Sequence, residues 1–392
     1  MPVYSAVYDS LVQYDKKKGI KAGLADRWKV DNSGKEYEFH LKENVKFSDG
    51  SKLDAKAVKF SIDRAKKMNK ETTVETLKQL DQVVVKDSQT VQIKLKQPSN
   101  QVLNELTQVR PLRIMSPHAV EGGKVDGKFK KAIGTGAFVV DKAGKEKTTM
   151  KPNKYYNHEH PVKYDLSFQT IEDGDSRNSA IQSGSVDISG GSLGMLSDQQ
   201  LKQDKKNKDL TIEDRPSTVS HFMAFNPDHK TLKDTKIREA ISKAINTNQL
   251  SDQHMRGIFQ KDGKPLSFNL VIQTAEFPNW KDKAEQVQDQ LKKAGIELKI
   301  KTLDSQSYYD TLWTKKDFDL IFYRTYSDAL MPYNFMNSVF KNIDGKSGVL
   351  ANDKVLSEKL DAYPKKINRD EQQQAMDDIF KPVSYTHLRA HE

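Results

Sequence analysis

The sequence predicts an α/β protein built as two lobes, and three observations carry that expectation. Strand and helix patterns alternate between Leu266 and Tyr323, an order that points to a layered lobe with mostly parallel pairing. A separate strand–helix–strand–strand unit lies between Tyr37 and Leu95. No repeat or low-complexity linker separates the parts, and 392 residues allow two or three domains at about 150 residues each.

In chain order, Tyr37, Phe39 and Leu41 alternate with Glu36, Glu38, His40 and Lys42, the period of a half-buried strand. Ser48-Asp49-Gly50 marks a turn. Asp54 then stands as N-cap before the apolar face Ala57, Val58, Ile62 and Ala65. Val83 to Val85 and Val91, Ile93, Leu95 read as two strands joined at Asp87-Ser88. Short strands and loops fill 139–168. A helix over 176–183 ends at Gly184, and Val186 and Ile188 resume a strand. Ile237, Ala240, Ile241, Ala244 and Ile245 form a full helical stripe. Leu266 and 269–272 make a strand, and Ala284, Val287 and Leu291 a helix ended by Gly295. Ile296, Leu298 and Ile300 give a strand, 306–313 a helix, 318–323 a strand and 369–380 a last helix.

Composition excludes several functions. With 36% hydrophobic and 30% charged residues, 20 Gly and 13 Pro, the chain is globular rather than collagen-like or linker-dominated. No run of 18 apolar residues exists to span a bilayer. The absence of cysteine removes disulfides, thiolate metal sites and a cysteine nucleophile. The net charge of +10 comes from 53 Lys and 11 Arg spread among 54 acids. The densest runs, Lys16 to Lys18 and 205–208, lack the interleaved aromatics of a nucleic-acid surface, so no nucleic-acid partner is expected.

The opening residues MPVYSAVYDSLVQYD lack a basic region followed by an apolar one, so the chain is expected to be cytoplasmic or to begin inside a longer one. The last ten residues, VSYTHLRAHE (383–392), look like translated sequencing adapter and are expected to be a non-native tail. His387 and His391 are therefore set aside as ligands.

Few motifs carry chemistry. The 122–128 run, G-G-K-V-D-G-K, imitates the start of a phosphate loop, but Phe129 stands where a metal-binding hydroxyl is needed. Gly134-Thr135-Gly136 lacks the third glycine of a dinucleotide fingerprint and reads as a turn where backbone passes close to something. His158 and His160 flank Glu159 as a weak metal pair. Asp173 and Asp175 share only the spacing of a calcium loop. No catalytic constellation results, and no enzyme or permanent cofactor is expected.

Two arginines differ. Arg is scarce, yet Arg110 and Arg113 both fall within the otherwise apolar V-R-P-L-R-I-M-S-P. A residue before proline avoids the α region, which restricts the direction of Arg110. A guanidinium in that setting calls for a planar anion: a ligand carboxylate held bidentately, or an internal acid in a structural salt bridge. The 318–333 stretch, F-D-L-I-F-Y-R-T-Y-S-D-A-L-M-P-Y, is a strand running into an aromatic, Arg-bearing loop. Ligands in α/β sheets sit beyond strand carboxyl ends, so this loop either lines a pocket or packs on its lobe.

Longer stretches carry a resemblance. G-L-A-D-R-W-K-V-D-N-S-G-K-E-Y-E-F-H-L-K-E-N-V-K-F-S-D-G (23–50) and A-K-A-V-K-F-S-I-D-R closely resemble family 5 of the bacterial extracellular solute-binding proteins. I-G-T-G-A-F (133–138), N-K-Y-Y (153–156), Q-S-G-S-V-D-I (182–188) and K-I-R-E-A-I-S-K-A-I-N (236–246) follow in the family's order. The resemblance implies a periplasmic-binding-protein-like fold (type II, cluster C) with an extra strand–helix subdomain. Lobe I would cover 1–225, with the subdomain at about 36–135, and lobe II 226–380, shortened near 258–261. It further implies an ABC importer component for oligopeptides, dipeptides or nickel chelates. Such a protein is extracytoplasmic, lipid-anchored or periplasmic, monomeric, and partnered by permease subunits.

The nickel and metallophore branch looks most similar. Its P-R-P-F-R-F motif resembles V-R-P-L-R-I here, and its first Arg, which contacts chelator carboxylates, falls on Arg110. Its H-R-T-W-G-A-P-Y-D-P-H aligns with Y-R-T-Y-S-D-A-L-M-P-Y. Tyr326 takes the place of a pocket Trp, Leu330 that of a pocket Tyr, and Tyr323 that of a His. The expected ligand residues are Arg110, Arg113, Tyr323, Arg324, Tyr326 and Tyr333, with no direct metal ligand. The cargo is expected to be nickel, or a similar transition metal, on small carboxylate chelators. A short peptide is the alternative, and a metal-dependent enzyme using His158 and His160 the reading from another class. The family's lipoprotein signal and first strand would precede Met1, and its returning C-terminal strand would follow the described chain.

Overall fold

The structure, a computed structural model, describes residues 2–15, 17–70, 72, 74–156, 161–190, 196–213, 220–245, 260–261, 264–325, 332–341 and 353–386. The chain divides into two compact units, the first of Met1–Thr170, Ser327–Asn334 and Leu360–Met376, the second of Ile171–Tyr326, Phe335–Lys359 and Asp377–Glu392. The stretch 171–225, read from sequence with the first lobe, groups here with the second unit.

The first unit opens with α1 (Pro2–Val7), the hairpin β1 (Val12–Asp15) and β2 (Gly19–Ala22), then β3 (Ala25–Val30) and β4 (Glu36–Leu41). Helices α2 (Ala55–Met68) and α3 (Glu75–Gln79) lead to β5 (Leu80–Val85), β6 (Thr90–Leu95) and α4 (Val102–Glu105). Strands β3, β4, β6 and β5 form one antiparallel sheet in that order. Tyr37, Phe39 and Leu41 are buried on one face of β4, as their alternation requires. Val58, Ile62 and Ala65 of α2 belong to the same core. The start of α2 is fixed by Asp54, whose carboxylate accepts from the Ala57 N–H at 2.8 Å. The antiparallel strands β7 (Phe138–Ala143), β8 (Lys147–Pro152) and β9 (Leu166–Gln169) follow.

Gly134 and Gly136 mark a close backbone approach. A Cβ at Gly134 would lie 2.0 Å from the Val7 carbonyl oxygen, and one at Gly136 2.5 Å from that of Ala6. The Gly136 N–H donates to Val7 O at 2.8 Å, and Thr135 Oγ1 donates to Asp9 Oδ2 at 2.8 Å. These glycines seat α1 on the body of the unit. Gly134→Ala should therefore lower stability by about 2 kcal/mol, the usual scale of overpacking, read as a fall in thermal midpoint.

The second unit contains α5 (Gly174–Gln182), α6 (Asp198–Asp204), β10 (Ser220–Phe225), α7 (Thr235–Ala244), β11 (Gln260–Lys261) and β12 (Lys264–Ile272). It continues with α8 (Trp280–Lys293), β13 (Ile296–Thr302), α9 (Ser305–Asp310) and β14 (Leu320–Thr325). Helices α10 (Pro332–Phe340), α11 (Lys354–Ala362) and α12 (Arg369–Thr386), the last described elements, each contribute residues to both units. β12 pairs in parallel with β13 on one side and β14 on the other, and β10 runs antiparallel to β14. Leu266, Phe268 and Leu270 are buried and alternate with exposed Ser267 and Asn269, and only toward its carboxyl end, at Leu270, Val271 and Ile272, is the strand covered on both faces. Trp280, Ala284, Val287 and Leu291 form the buried stripe of α8. Three parallel strands bring the carboxyl ends of β12, β13 and β14 to one edge.

Three local expectations change. Residues 186–190 hold no strand, and Ile188 is 90% exposed, because two alternating residues bring no partner strand with them. The helix expected over 306–313 splits into α9 and a π-type turn, Thr311–Lys315, before Lys316 turns left-handed (φ 51°). The last helix passes Phe380 and reaches Thr386.

Candidate functional site

The carboxyl edge of the second unit's sheet gathers groups from β10, β12, β13 and β14. After β12 the buried Gln273 accepts the Glu276 N–H at 3.0 Å, a turn that presents Glu276 and Phe277. After β13 Asp304 caps α9, accepting from the Ser307 N–H at 3.0 Å. That helix buries Tyr308, whose hydroxyl donates to Phe322 O, and carries Tyr309 beside it. Arg324 sits near the end of β14, opposite His221 on β10.

These side chains form one connected cluster. Arg324 Nη2 lies 3.3 Å from Glu276 Oε2 and donates to the Tyr309 hydroxyl at 3.3 Å. Tyr309 in turn donates to Glu276, at 3.0 Å to Oε1 and 3.1 Å to Oε2. The guanidinium stands 5.6 Å from the Phe277 ring centre, a cation–π contact. Phe277 stacks on Trp280 at 4.7 Å, and Trp280 Nε1 donates to His221 Nδ1 at 3.0 Å. Accepting at Nδ1 puts the proton of neutral His221 on Nε2. Burial, then the nearby Arg324 charge, lowers the His221 pKa and keeps the ring neutral. Burial raises the Tyr309 hydroxyl against the pull of Arg324.

Tyr323 and Arg324, both expected at the ligand, point to opposite faces of β14, as strand neighbours must. Tyr323 packs edge-on against Phe222 (5.2 Å) and Trp313 (6.2 Å).

In the first unit the Arg110–Pro111 peptide is cis and the Arg110 side chain is exposed. Among the described residues it makes no hydrogen bond or ion pair. Its charge is felt at Tyr4, whose hydroxyl is raised by burial and drawn down by Arg110 and then Arg113. Arg113 fastens backbone: Nε donates to Gln108 O and Nη1 to Tyr8 O, each at 2.9 Å. Tyr333 is fully buried and stacks on Tyr363 at 5.1 Å, beside Glu75 and Glu105. Tyr326, Leu330, His158, His160, His387 and His391 lie outside the described residues.

Other motifs resolve as structure. Arg64 Nη1 donates to Val125 O and Gly127 O at 2.7 and 2.9 Å, pinning the glycine–lysine loop. Asp173 caps α5. Among the described residues no group of three His, Asp or Glu converges as a metal site. Sequence reading missed Glu276, Phe277, Trp280, Tyr309 and His221. The signal for Glu276 and Tyr309 was their place just after expected parallel strands.

The fold is that of the periplasmic binding proteins. The structure superposes on NikA from Brucella suis in complex with Fe(III)-EDTA with a TM-score of 0.85 at 23% identity, covering 98% of this chain and 87% of that one. For NikZ from Campylobacter jejuni in complex with Ni(L-His) the TM-score is 0.83 at 20% identity, covering 97% and 85%. In sequence the chain is 25% identical over 430 residues to the probable D,D-dipeptide-binding periplasmic protein DdpA of Escherichia coli K12, covering 97% of this chain and 82% of that protein. It is 26% identical over 296 residues to the nickel-binding periplasmic protein of the same organism, and 29% over 252 residues to the glutathione-binding protein GsiB of Salmonella paratyphi A. Those matches cover 75% and 63% of this chain and 55% and 48% of the relatives, about half the length of each. The model of bacterial extracellular solute-binding proteins, family 5 Middle, matches residues 19–270 and 257–347, and the chain belongs to that family. Its members are non-enzymatic components of ABC importers, extracellular or periplasmic, and permease partners are implied by the family. Among the described residues no helix is long and apolar enough to cross a membrane.

Proposed function

We propose that this protein captures nickel, or a similar transition metal, as a complex with small carboxylate chelators and delivers it to the permease subunits of an ABC importer. The observation that carries the reading is Arg110: an exposed guanidinium in an apolar segment, with no acid beside it among the described residues. Such a group is open to a carboxylate in the bidentate geometry that Arg favours. The chelator fills most of the metal's coordination sphere. Similar proteins have been solved with Ni(L-His) and Fe(III)-EDTA, which supports a chelate as the cargo class. The chelate favours the closed form of the protein in proportion to its differential affinity for it. The protein acts as a monomer, lipid-anchored or periplasmic.

The likeness to a D,D-dipeptide-binding protein across 97% of the chain favours a second reading, capture of a short peptide. A peptide would be held by strand-like hydrogen bonds and by charge pairing at its termini. Calorimetry with nickel plus L-histidine against a tripeptide mixture separates the two. Saturable heat with the nickel–histidine mixture and none with the peptides is expected. The reverse pattern transfers the assignment to the peptide reading.

A further inference from the structure

We infer that Glu276 is a specificity-determining residue: it makes the carboxyl edge of the second unit's sheet select solutes that present a neutral or cationic, hydrogen-bond-donating group over solutes that present an anion. The inference rests on the solute-capture reading and names what that unit recognises. Taken alone, Arg324 is an anion site, a half-buried guanidinium at the end of a parallel sheet over an aromatic ring. Glu276 already stands at that place, 3.3 Å from Nη2, and Tyr309 donates to the same carboxylate, fixing its position.

The charges then balance. Among the described residues Arg324 and Glu276 offset each other, and His221 is a neutral ring because its Nδ1 accepts from Trp280 and burial disfavours its charged form. A second carboxylate brought to Arg324 would lie within a few ångströms of Glu276 in a half-buried setting, where like charges repel strongly. A ligand N–H meets the opposite situation. Glu276 Oε1 accepts only from Tyr309 among the described residues and keeps acceptor capacity. A metal-bound amine, an imidazole N–H or an ammonium fits this chemistry.

The test is calorimetric, on the full chain, with the neutral complex of nickel with two L-histidines and the anionic Fe(III)-EDTA complex. Wild type should bind the neutral complex at least tenfold more tightly. Glu276→Gln, with folding checked by thermal melt, should narrow or invert that preference by tenfold or more. Should that variant not fold, Arg324→Gln, which leaves the carboxylate without its cation, should widen the preference instead. A ratio unchanged within twofold in the folded variant overturns the proposal, as does a wild type that prefers the anion. If neither complex binds, the nickel reading fails, and trialanine against N-acetyl-trialanine reads the proposal separately. The free amine should be preferred by wild type and not by Glu276→Gln, and equal binding of the two peptides overturns it. Silence toward all four probes overturns it together with the capture reading.

Discussion

Arg110→Ala should weaken binding of the nickel–histidine complex by roughly 2–5 kcal/mol, the cost of leaving a ligand carboxylate desolvated and without its cation. The magnitude follows from where the cost falls. In the unliganded protein Arg110 is exposed and holds nothing among the described residues, so its removal should change thermal stability by no more than about 0.5 kcal/mol. The loss appears only when a carboxylate is withdrawn from water against this segment. Arg110→Lys restores the charge but not the planar fork, so it should recover part of the affinity. Calorimetry on the three proteins, with melting curves beside it, checks the pattern. Unchanged affinity in the alanine variant removes Arg110 from the site and the chelate reading with it.

Legibility followed how local the information was. β4, β5 and β6 were readable because one face of each is buried, so Tyr37, Phe39, Leu41, Val83, Val91 and Ile93 write their period into the sequence. α2 announced itself through Asp54, and the parallel β12–β13 pair through short apolar runs separated by the α8 stripe. β10 was not read. Ser220 to Phe225 shows no clean alternation, and the strand is defined by its antiparallel register with β14, about a hundred residues away. That pairing is a property of the sheet rather than of the segment.

The candidate residues of each unit divide in the same way. Arg110 stood out as a rare cation in an apolar stretch, and Arg324 as a cation in an aromatic one. Glu276, Tyr309 and His221 carry no local mark, since they meet only where three parallel carboxyl ends and the start of β10 come together. A constraint within reach of the sequence concerned Tyr323 and Arg324: if 318–323 is a strand that continues, neighbours on it face opposite ways. Tyr333 lay beyond local reasoning, because its burial depends on Tyr363, thirty residues further along the chain.

The first unit should lose stability between about pH 4.5 and 7 through one carboxyl group, Glu105. This side chain is wholly buried, and its neighbours are donors rather than cations. Oε1 accepts from the Glu75 N–H at 2.8 Å and the Asn334 amide at 3.1 Å; Oε2 accepts from the Thr76 N–H at 2.7 Å and the Thr76 hydroxyl at 2.6 Å. Burial raises its pKa to about 7, the donors pull it down, and Glu75 nearby adds to the rise. Among the described residues Tyr333 and Glu75, the latter with Lys78 4.0 Å away, are the neighbouring titratable groups, and Asp361 and Tyr363 stand near Tyr333. The folded state thus holds a proton that the unfolded chain releases near 4.5. Stability from this group is complete below that value and declines as pH rises through 7, by about 3 kcal/mol at 1.36 kcal/mol per unit. The sign opposes that of an ion-paired carboxylate, because here desolvation outweighs the donors. Glu105→Gln cannot titrate, so the difference in opening free energy between wild type and variant isolates the group. Exchange of the Glu75 and Thr76 amides, which donate to this carboxyl, reports that opening without assuming that both units unfold together. The wild-type advantage should shrink steadily from pH 5 to 8. A difference independent of pH would mean that the four donors hold Glu105 ionised throughout, and that hydrogen bonding, not burial, sets the charge of this interior.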